Sequence, residues 1–568
     1  MTPRWLNKIV PIDRWRPFLQ MARTKIFWIN LWKFTAATTR RSVVIAAAGF
    51  LAATLLVLIF GGGVAAEGFG FLVCALAAIY VAGRYFLKPK TPGERALFVV
   101  ALLVLFVGTL WHENRQTIGR MYSRGAVRTW NIYHYYLGSK YFPELGYTGL
   151  YPQTIVADRE GRNWLKDVKA IRDMTDYQVK PVPEIVPAQR APGFSDARWD
   201  EFKRDVNVLL AKEPRRQWGG ILADRGYNPT PFWNAVGAIF SRALDVTNPA
   251  QLAIAVSLDL ALYFIMIAAA WWAFGAEASM LAFLCFALLP FNPPRLIGGY
   301  IQYDWIAAIV LGVCFVQKRR PIPAAIALGY ATMAKVFPLL LVGGLAFPAV
   351  RRLVTEKKLD QFTWKFGIAF AAVCLLGLGV GATSGKGLGG WTEWREKITT
   401  HNYEMIFGQG RVGLQHIFTH RLGDEFETSE KARKRSYEGQ SGAYYAAAVL
   451  FLALFLAAVW RRSNLNALLL STMLVYIFLV PSHYYWSILS ILPFWRVKAG
   501  KRWSPALLPA LTAFIVPAGW YAYALSQRFE YARFIMFDWL LGLCFLAVTG
   551  WLIVVNLHDM NLWPKKPA

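Results

Sequence analysis

Long apolar runs recur along this chain from residue 43 to residue 556, and they limit its fold more than any other feature. About 20 apolar residues in an α-helix cross the hydrocarbon core of a lipid bilayer. Hydrophobic residues make up 56% of the 568 residues, which is more than a soluble fold can bury. The sequence therefore predicts an all-α polytopic membrane protein with about 14 membrane helices, two of which form a short hairpin.

The charge distribution predicts how these helices are oriented. The formal net charge of +28 could suggest a nucleic-acid partner, but the basic residues lie largely in short segments between the apolar runs. That pattern is typical of the positive-inside rule and argues against nucleic-acid binding. We expect a multi-pass protein of the bacterial inner membrane with both termini in the cytoplasm. Residues 1–42, which are rich in basic and aromatic side chains, are expected to lie on the cytoplasmic leaflet.

Segment 322–349 differs from the other apolar runs because basic clusters lie at both of its ends. A single crossing would place one cluster on the wrong side of the membrane. Two short helices of about 13 residues, each roughly 20 Å long, avoid this conflict. The turn between them, residues 335–338, would end within the membrane depth, where a lysine is tolerated only beside a protein cavity. The other helices are predicted near residues 43–61, 70–87, 96–111, 250–274, 278–291, 303–317, 365–384, 441–460, 464–481, 483–495, 504–526 and 534–556.

The same topology places two long polar segments on the extracytoplasmic side: residues 112–249, the first polar loop, and residues 385–440, the second polar loop. Six of the seven histidines, including His134 and His483, also fall on that side. Histidine is a versatile acid, base or hydrogen-bond donor near neutral pH. The distribution therefore favours an extracytoplasmic site.

The first polar loop opens with a dense aromatic run, residues 131–151. One interpretation is an amphipathic helix at the membrane interface, where tyrosine is favoured. The other is a platform that binds a sugar through stacked aromatic rings and a few polar groups. The residues that would form it include His134, Tyr135, Tyr136, Lys140 and Glu144.

Two further segments carry polar residues next to predicted helices. Asp224, Tyr227 and Asn228 lie in a turn-rich stretch that leads into the next helix, although its prolines could simply mark the helix start. In the second polar loop, Arg411 stands between glycines just before a helical pattern. A glycine-flanked cation at a helix start suits a phosphate group.

These segments together resemble the GT-C glycosyltransferases, and more closely the bacterial polyprenyl-phosphate-mannose-dependent α-mannosyltransferases. The resemblance covers about residues 96–495, leaving 43–95 as an extra N-terminal helix pair and 496–568 as a C-terminal pair. It implies a GT-C-like bundle with a large extracytoplasmic first loop. The similar elements are Tyr135-Tyr136 through Gly149-Leu150-Tyr151, Tyr227-Asn228-Pro229-Thr230-Pro231, Lys335-Val336-Phe337-Pro338 and Gly408-Gln409-Gly410-Arg411.

The resemblance implies inverting transfer of a sugar from a polyprenyl-phosphate donor to an extracytoplasmic glycan, lipid or protein acceptor. Lys335 and Arg411 would bind the donor phosphate, and membrane lipids would surround the chain. Where the family has its loop-opening carboxylate, this chain has Asn131, and an amide cannot act as a base. The residues left for that role are Glu144, Asp224, Glu113 and His134.

Asp259, Asp304 and Asp538 lie at membrane depth, where an unpaired carboxylate is costly. Asp304 is at the outer end of its helix and could join the site. No cluster has the spacing of metal ligands, so no cofactor is identified and a divalent metal stays open. Two other functions also stay open: a transporter or flippase of a lipid-linked glycan, and a non-catalytic partner in envelope assembly. Transporters are often built from internal repeats, and this chain shows none.

Overall fold

The computed structural model of the protein describes residues 40–60, 66–89, 91–124, 127–289, 298–408, 410–420, 429–496, 506–526 and 530–559. Within these ranges, eight helices are long and apolar enough to cross a membrane by length and composition. The prediction of a helical, multi-pass membrane protein is thereby confirmed, whereas the count of 14 helices stays a prediction. The eight helices are Ala66–Leu87, Pro92–His112, Pro249–Phe274, Pro338–Glu356, Gln361–Ala382, Glu430–Val459, Leu507–Ser526 and Ala532–Leu557.

Shorter apolar helices lie between these spans, and several helices begin at a side-chain cap. The side chains of Asn248, Asp360 and Ser429 accept backbone N–H groups of the first turn. Such a cap pairs a donor that the helix itself cannot satisfy. The remaining apolar helices are Arg40–Phe60, Ala276–Leu288, Asp304–Gln317, Pro321–Lys335, Asn464–Leu470 and Thr472–Phe478.

The chain breaks its helix at the turn 335–338, as the sequence predicts. Helix Pro321–Lys335 ends there because Val336 adopts φ +58°, a left-handed conformation that is rare for a β-branched residue. Pro338 then starts the next helix, Pro338–Glu356. That helix is longer than predicted because it runs through Arg351 and Arg352. The Arg352 guanidinium is paired with Asp360 at 2.9 Å.

Residues 483–495 also differ from the prediction of an α-helical span. The segment His483–Phe494 is a 3₁₀-helix that contains Pro493. A 3₁₀-helix rises about 2.0 Å per residue, compared with about 1.5 Å in an α-helix. Twelve residues therefore reach farther than the same length of α-helix would.

The first polar loop folds into a small helical unit. Helix Pro92–Arg124 continues beyond its apolar part, Pro92–His112, into this polar segment. Strands Ala170–Arg172 and Val179–Pro181 pair antiparallel, with Ile171 opposite Lys180. The aromatic run is helical, with a π-helical stretch at Ile132–Leu137. The helices of this unit are Thr129–Asn131, Gly138–Lys140, Phe142–Leu145, Leu150–Arg159, Val182–Ile185, Asp196–Leu210, Arg215–Leu222 and Pro231–Ala243.

Three helices near the ends of the described ranges, Ala66–Leu87, Leu507–Ser526 and Glu530–Asp559, pack against other helices of the bundle. Leu507–Ser526 lies along Ala66–Leu87, where Gly70 allows the ring of Tyr521 to approach the backbone. A Cβ atom at Gly70 would lie only 2.4 Å from that ring. The last helix, Glu530–Asp559, packs on Glu430–Val459 and reaches Leu414–Ile417 in the second polar loop. That loop also contains the helix Gly389–Ile406.

Candidate active site

A cavity of about 1010 Å³ brings together segments that are far apart in the sequence. Its walls come from the first polar loop, the turn 335–338, the helix Gly389–Ile406, and the two chain segments that contain Arg411 and His483. Of the residues predicted as site residues, those that line it are His134, Tyr135, Asp224, Asn228, Lys335, Arg411 and His483.

Lys335 is a partly buried cation that lines this cavity. It is the last residue of its helix, and its Nζ lies 5.4 Å from the ring centre of Tyr135 and 5.9 Å from that of Tyr485. Cation–π contacts favour the charged ammonium without neutralising it. No carboxylate oxygen in the described part of the chain lies within 4.0 Å of this Nζ. The ammonium is therefore available to a ligand anion.

Arg411 is another cation that lines the cavity, and it is buried, with only 7% of the residue exposed. Its backbone forms an antiparallel bridge with Ser482. Its Nε has no hydrogen-bond partner among the described residues. Burial, together with the nearby charge of Arg225, lowers the pKa of Arg411 to about 10. The guanidinium thus stays charged at neutral pH and keeps donors free for an anion.

The glycines around Arg411 allow the backbone to pack closely. Gly410 has φ +76°, and a Cβ atom there would lie 2.8 Å from the His483 ring. A Cβ atom at Gly413 would lie 2.1 Å from the carbonyl oxygen of Leu479. Residues 410–413, which we call the Arg411 loop, therefore need glycine at both ends.

Asp224 is a carboxylate on another wall of the cavity. Its side chain is 38% exposed, and its Oδ2 accepts the indole N–H of Trp130 at 3.2 Å. The same oxygen lies 3.8 Å from Nε2 of His134. A carboxylate that faces a cavity and accepts only a long hydrogen bond, here from the Trp130 indole, can accept a proton from a bound hydroxyl group.

His134 lies next to Asp224 in the cavity wall. Its Nδ1 lies 2.6 Å from the carbonyl oxygen of Trp130, so Nδ1 carries the proton of that hydrogen bond. Burial lowers the pKa of His134, which leaves the ring neutral at pH 7. Nε2 then accepts the hydroxyl proton of Tyr151 at 2.7 Å. Both ring nitrogens are thereby engaged, which makes Asp224 the more accessible base of the two.

Asn131 stands where the resemblance expects the loop-opening acid. It lines the cavity, and its Oδ1 accepts the backbone N–H of Tyr300 at 2.6 Å. The amide therefore joins the first polar loop to the segment before helix Asp304–Gln317.

Several predicted site residues lie away from the cavity in the described structure. Glu144 is 11% exposed and accepts a hydrogen bond from Arg198 at 2.7 Å. Tyr136 donates its hydroxyl proton to the carbonyl oxygen of Leu244. The hydroxyl of Tyr227 bonds to Asn234, and Tyr330 donates to the buried carboxylate of Asp304 at 2.6 Å. The side chain of Glu113 lies outside the described residues.

Lys140 also lies away from the cavity, in a buried ion pair. Its Nζ is 2.7 Å from Asp205 and 2.8 Å from Glu201. The side chains of Lys140 and Asp205 are 5% and 1% exposed. Burial raises the pKa of Asp205, and the neighbouring Lys140 opposes that shift. Lys140 therefore balances a carboxylate inside the first polar loop.

Lys140→Met is expected to destabilise the protein by about 3–5 kcal/mol, because it leaves Asp205 buried without its partner. Thermal unfolding of the detergent-purified protein measures the loss. Lys180→Met is the matched control, since Lys180 forms an accessible ion pair with Asp173 and Asp176 in the same loop. Equal melting temperatures for the two variants would contradict the structural role of Lys140.

The cavity also contains residues that the sequence interpretation missed. Trp394, Ile398, His401 and Met405 lie on one face of the helix Gly389–Ile406 and line the cavity. Their spacing of three or four residues is the helical signal that could have identified them. Burial lowers the pKa of His401 well below its usual value, and the nearby Arg411 adds to this shift. The ring is thus a neutral polar group at the cavity.

No group of three or more His, Cys, Asp or Glu side chains in the described ranges has the geometry to hold a metal ion. The five cysteines are all free thiols, in or beside apolar helices.

Comparison with known proteins gives one family. Residues 230–482, less than half of the chain, match the model of Glycosyltransferase family 87. No curated protein and no solved structure matches the chain. The matched region includes Lys335, Arg411, His401 and His483. The match supports the GT-C-like superfamily of membrane glycosyltransferases and a glycosyltransferase activity in membrane glycan assembly.

Proposed function

We propose that this chain, as a membrane glycosyltransferase, transfers a sugar from a polyprenyl-phosphate donor to an acceptor hydroxyl group on the extracytoplasmic side. The observation that carries the proposal is the composition of one cavity. It contains one partly buried and one buried cation, Lys335 and Arg411, which have no carboxylate partner among the described residues, and one accessible carboxylate, Asp224. Mannose is the sugar that the sequence resemblance implies, and the acceptor is a glycan, a lipid or a protein.

In the proposed reaction, Asp224 accepts the proton of the acceptor hydroxyl group. The acceptor oxygen forms a bond to C1 of the sugar as the bond from C1 to the phosphate oxygen breaks. The lipid phosphate leaves with one additional negative charge, and the anomeric configuration inverts. Lys335 and Arg411 stabilise that charge as it develops, which is where fixed cations in a dry site contribute most.

The apolar part of the cavity suits the lipid tail. Val336, Leu339 and Phe478 line the cavity, and each of these apolar residues is exposed to 40% or more. These side chains would connect the phosphate position with the surrounding bilayer. A polyprenyl chain could then stay in lipid while its phosphate contacts Lys335.

A transfer assay in detergent tests the function. We expect the purified protein to release polyprenyl phosphate from polyprenyl-phosphate mannose only when an acceptor is present. Nuclear magnetic resonance of the product should show an inverted anomeric centre. A flippase would instead move the lipid across proteoliposome membranes without breaking the bond between sugar and phosphate. That result would overturn the proposal.

The proposed orientation has its own test. In intact spheroplasts, Glu184→Cys in the first polar loop should react with a membrane-impermeant thiol reagent, and Lys357→Cys should not. Both positions are exposed in the structure. The unmodified chain is the control, because its five cysteines are buried or partly buried in or beside apolar helices. The reverse pattern would place the cavity on the cytoplasmic side.

A further inference from the structure

Asp538 is a buried carboxylate on the last helix, Glu530–Asp559, with no exposed surface. Its Oδ1 accepts the backbone N–H of Gly413 at 2.7 Å. Its Oδ2 lies 2.6 Å from Nδ1 of His416. Both oxygens of the carboxylate are therefore used by residues at and just after the Arg411 loop.

A carboxylate in this position has a high energetic cost. Asp538 lies in a helix that is apolar enough to span a membrane, among the buried side chains of Phe534, Phe537 and Leu541. Taking an ionisable group out of water is unfavourable unless specific partners compensate. An apolar residue would fill the same space without that cost. An apolar residue could not, however, form the hydrogen bonds that Asp538 makes with Gly413 and His416 in the second polar loop.

The Arg411 loop is attached on its other side to residues 481–486. The backbone N–H of Val412 donates to the carbonyl oxygen of Pro481 at 3.2 Å. The indole N–H of Trp486 donates to the carbonyl oxygen of Val412 at 3.2 Å. The backbone N–H of His483 donates to the carbonyl oxygen of Gly410 at 2.9 Å. Asp538 attaches the loop at Gly413.

The guanidinium of Arg411 depends on these backbone attachments. Its Nε has no hydrogen-bond partner among the described residues, so no neighbouring side chain holds that atom in place. Its direction into the cavity therefore follows from the position of the loop backbone. Because Gly413 is only two residues from Arg411, we expect a shift of its backbone to move the base of the Arg411 side chain.

We propose that Asp538 is a positioning residue, which holds the Arg411 loop in the conformation that binds the donor phosphate. This inference rests on the proposed function, and it extends the site beyond the family-matched residues 230–482 to the last helix. Asp538 acts through Arg411 and touches no substrate.

The test measures binding of polyprenyl phosphate, the lipid carrier without a sugar, to the detergent-purified full chain. Asp538→Leu removes both contacts and is expected to raise the dissociation constant at least tenfold. Asp538→Asn keeps an oxygen that can accept the Gly413 N–H, so a smaller increase of several-fold is expected. Thr549→Val is the matched control. Its hydroxyl group is buried on the same helix and donates to carbonyl oxygens of the helix backbone.

A double-mutant cycle separates positioning from general destabilisation. In the Arg411→Gln background, Asp538→Asn should cause no further loss of binding, because its effect passes through the guanidinium. If Asp538→Leu does not fold, this cycle with Asp538→Asn still decides the matter. If Asp538→Asn raised the dissociation constant by the same factor in the unmodified chain and in the Arg411→Gln variant, the inference would be overturned. Unchanged binding by Asp538→Asn in the unmodified chain would overturn it too, and in both cases the proposed function would stay intact. Absence of binding by the unmodified chain would overturn both.

Discussion

Replacing Lys335 with methionine is expected to lower the rate of sugar transfer by roughly 10²–10³-fold while the protein still folds. The ammonium lies in a cavity wall between Tyr135 and Tyr485, without a carboxylate within 4.0 Å in the described structure. Removing a preorganised cation that stabilises a leaving phosphate typically costs a few kcal/mol in the transition state. Methionine keeps most of the side-chain length and loses only the charge. Steady-state transfer with a lipid-linked donor measures the change.

Lys318→Met is the matched control for this experiment. Lys318 follows the helix Asp304–Gln317, and its Nζ lies over the ring of Trp272 at 5.0 Å from the ring centre. It does not line the cavity. We expect this variant to turn over at a nearly normal rate. Near-normal turnover by Lys335→Met as well would leave Lys335 with only a packing role at the turn 335–338.

Replacing Asp224 with asparagine is expected to lower the transfer rate at least a hundredfold, with the Kd of polyprenyl phosphate nearly unchanged. A hydroxyl group is a weak nucleophile, and a positioned base typically contributes about 10²–10⁴-fold. Asparagine can still accept the indole N–H of Trp130, so the local structure should be kept. Comparing turnover with phosphate-lipid binding separates loss of the base from loss of the donor site.

Glu144→Gln is the informative comparison, because Glu144 is the first candidate for the base that the sequence offers and Asp224 the next. It is paired with Arg198 and lies outside the cavity wall. We expect Glu144→Gln to affect stability more than the rate of transfer. Loss of activity in Glu144→Gln with normal turnover in Asp224→Asn would reverse the two assignments.

The membrane character of the fold could be predicted because it depends on local composition. Apolar runs and the charges that flank them can be identified from short stretches of sequence. The break at Lys335–Pro338 could be predicted in the same way. The 3₁₀-helix His483–Phe494 could not be predicted in this way. Its apolar composition suits an α-helix equally well, and its attachment to Gly410 depends on contacts distant in the sequence.

The roles of charged residues in the first polar loop depend on tertiary partners. Lys140 and Glu144 stand in an aromatic run that resembles a binding surface, but their partners Asp205 and Arg198 are about 60 residues away. Only the folded loop shows that these charges are paired. Asp538 illustrates the same limit. Its position at membrane depth was visible in the sequence, whereas its contacts with Gly413 and His416 were not.

His401 shows what a closer examination of the sequence could have added. The spacing of Trp394, Ile398, His401 and Met405 indicates one face of a helix in an otherwise polar loop. A neutral imidazole on such a face would have been a reasonable candidate for a polar contact with substrate.

The most direct test of the proposed site is a cryo-electron-microscopy structure of the full chain in nanodiscs with saturating polyprenyl phosphate. We predict density for the phosphate in contact with Nζ of Lys335 and the guanidinium of Arg411, and tail density along Val336, Leu339 and Phe478. Density for the phosphate elsewhere, or an empty cavity at a concentration that saturates binding, would contradict the proposed donor site.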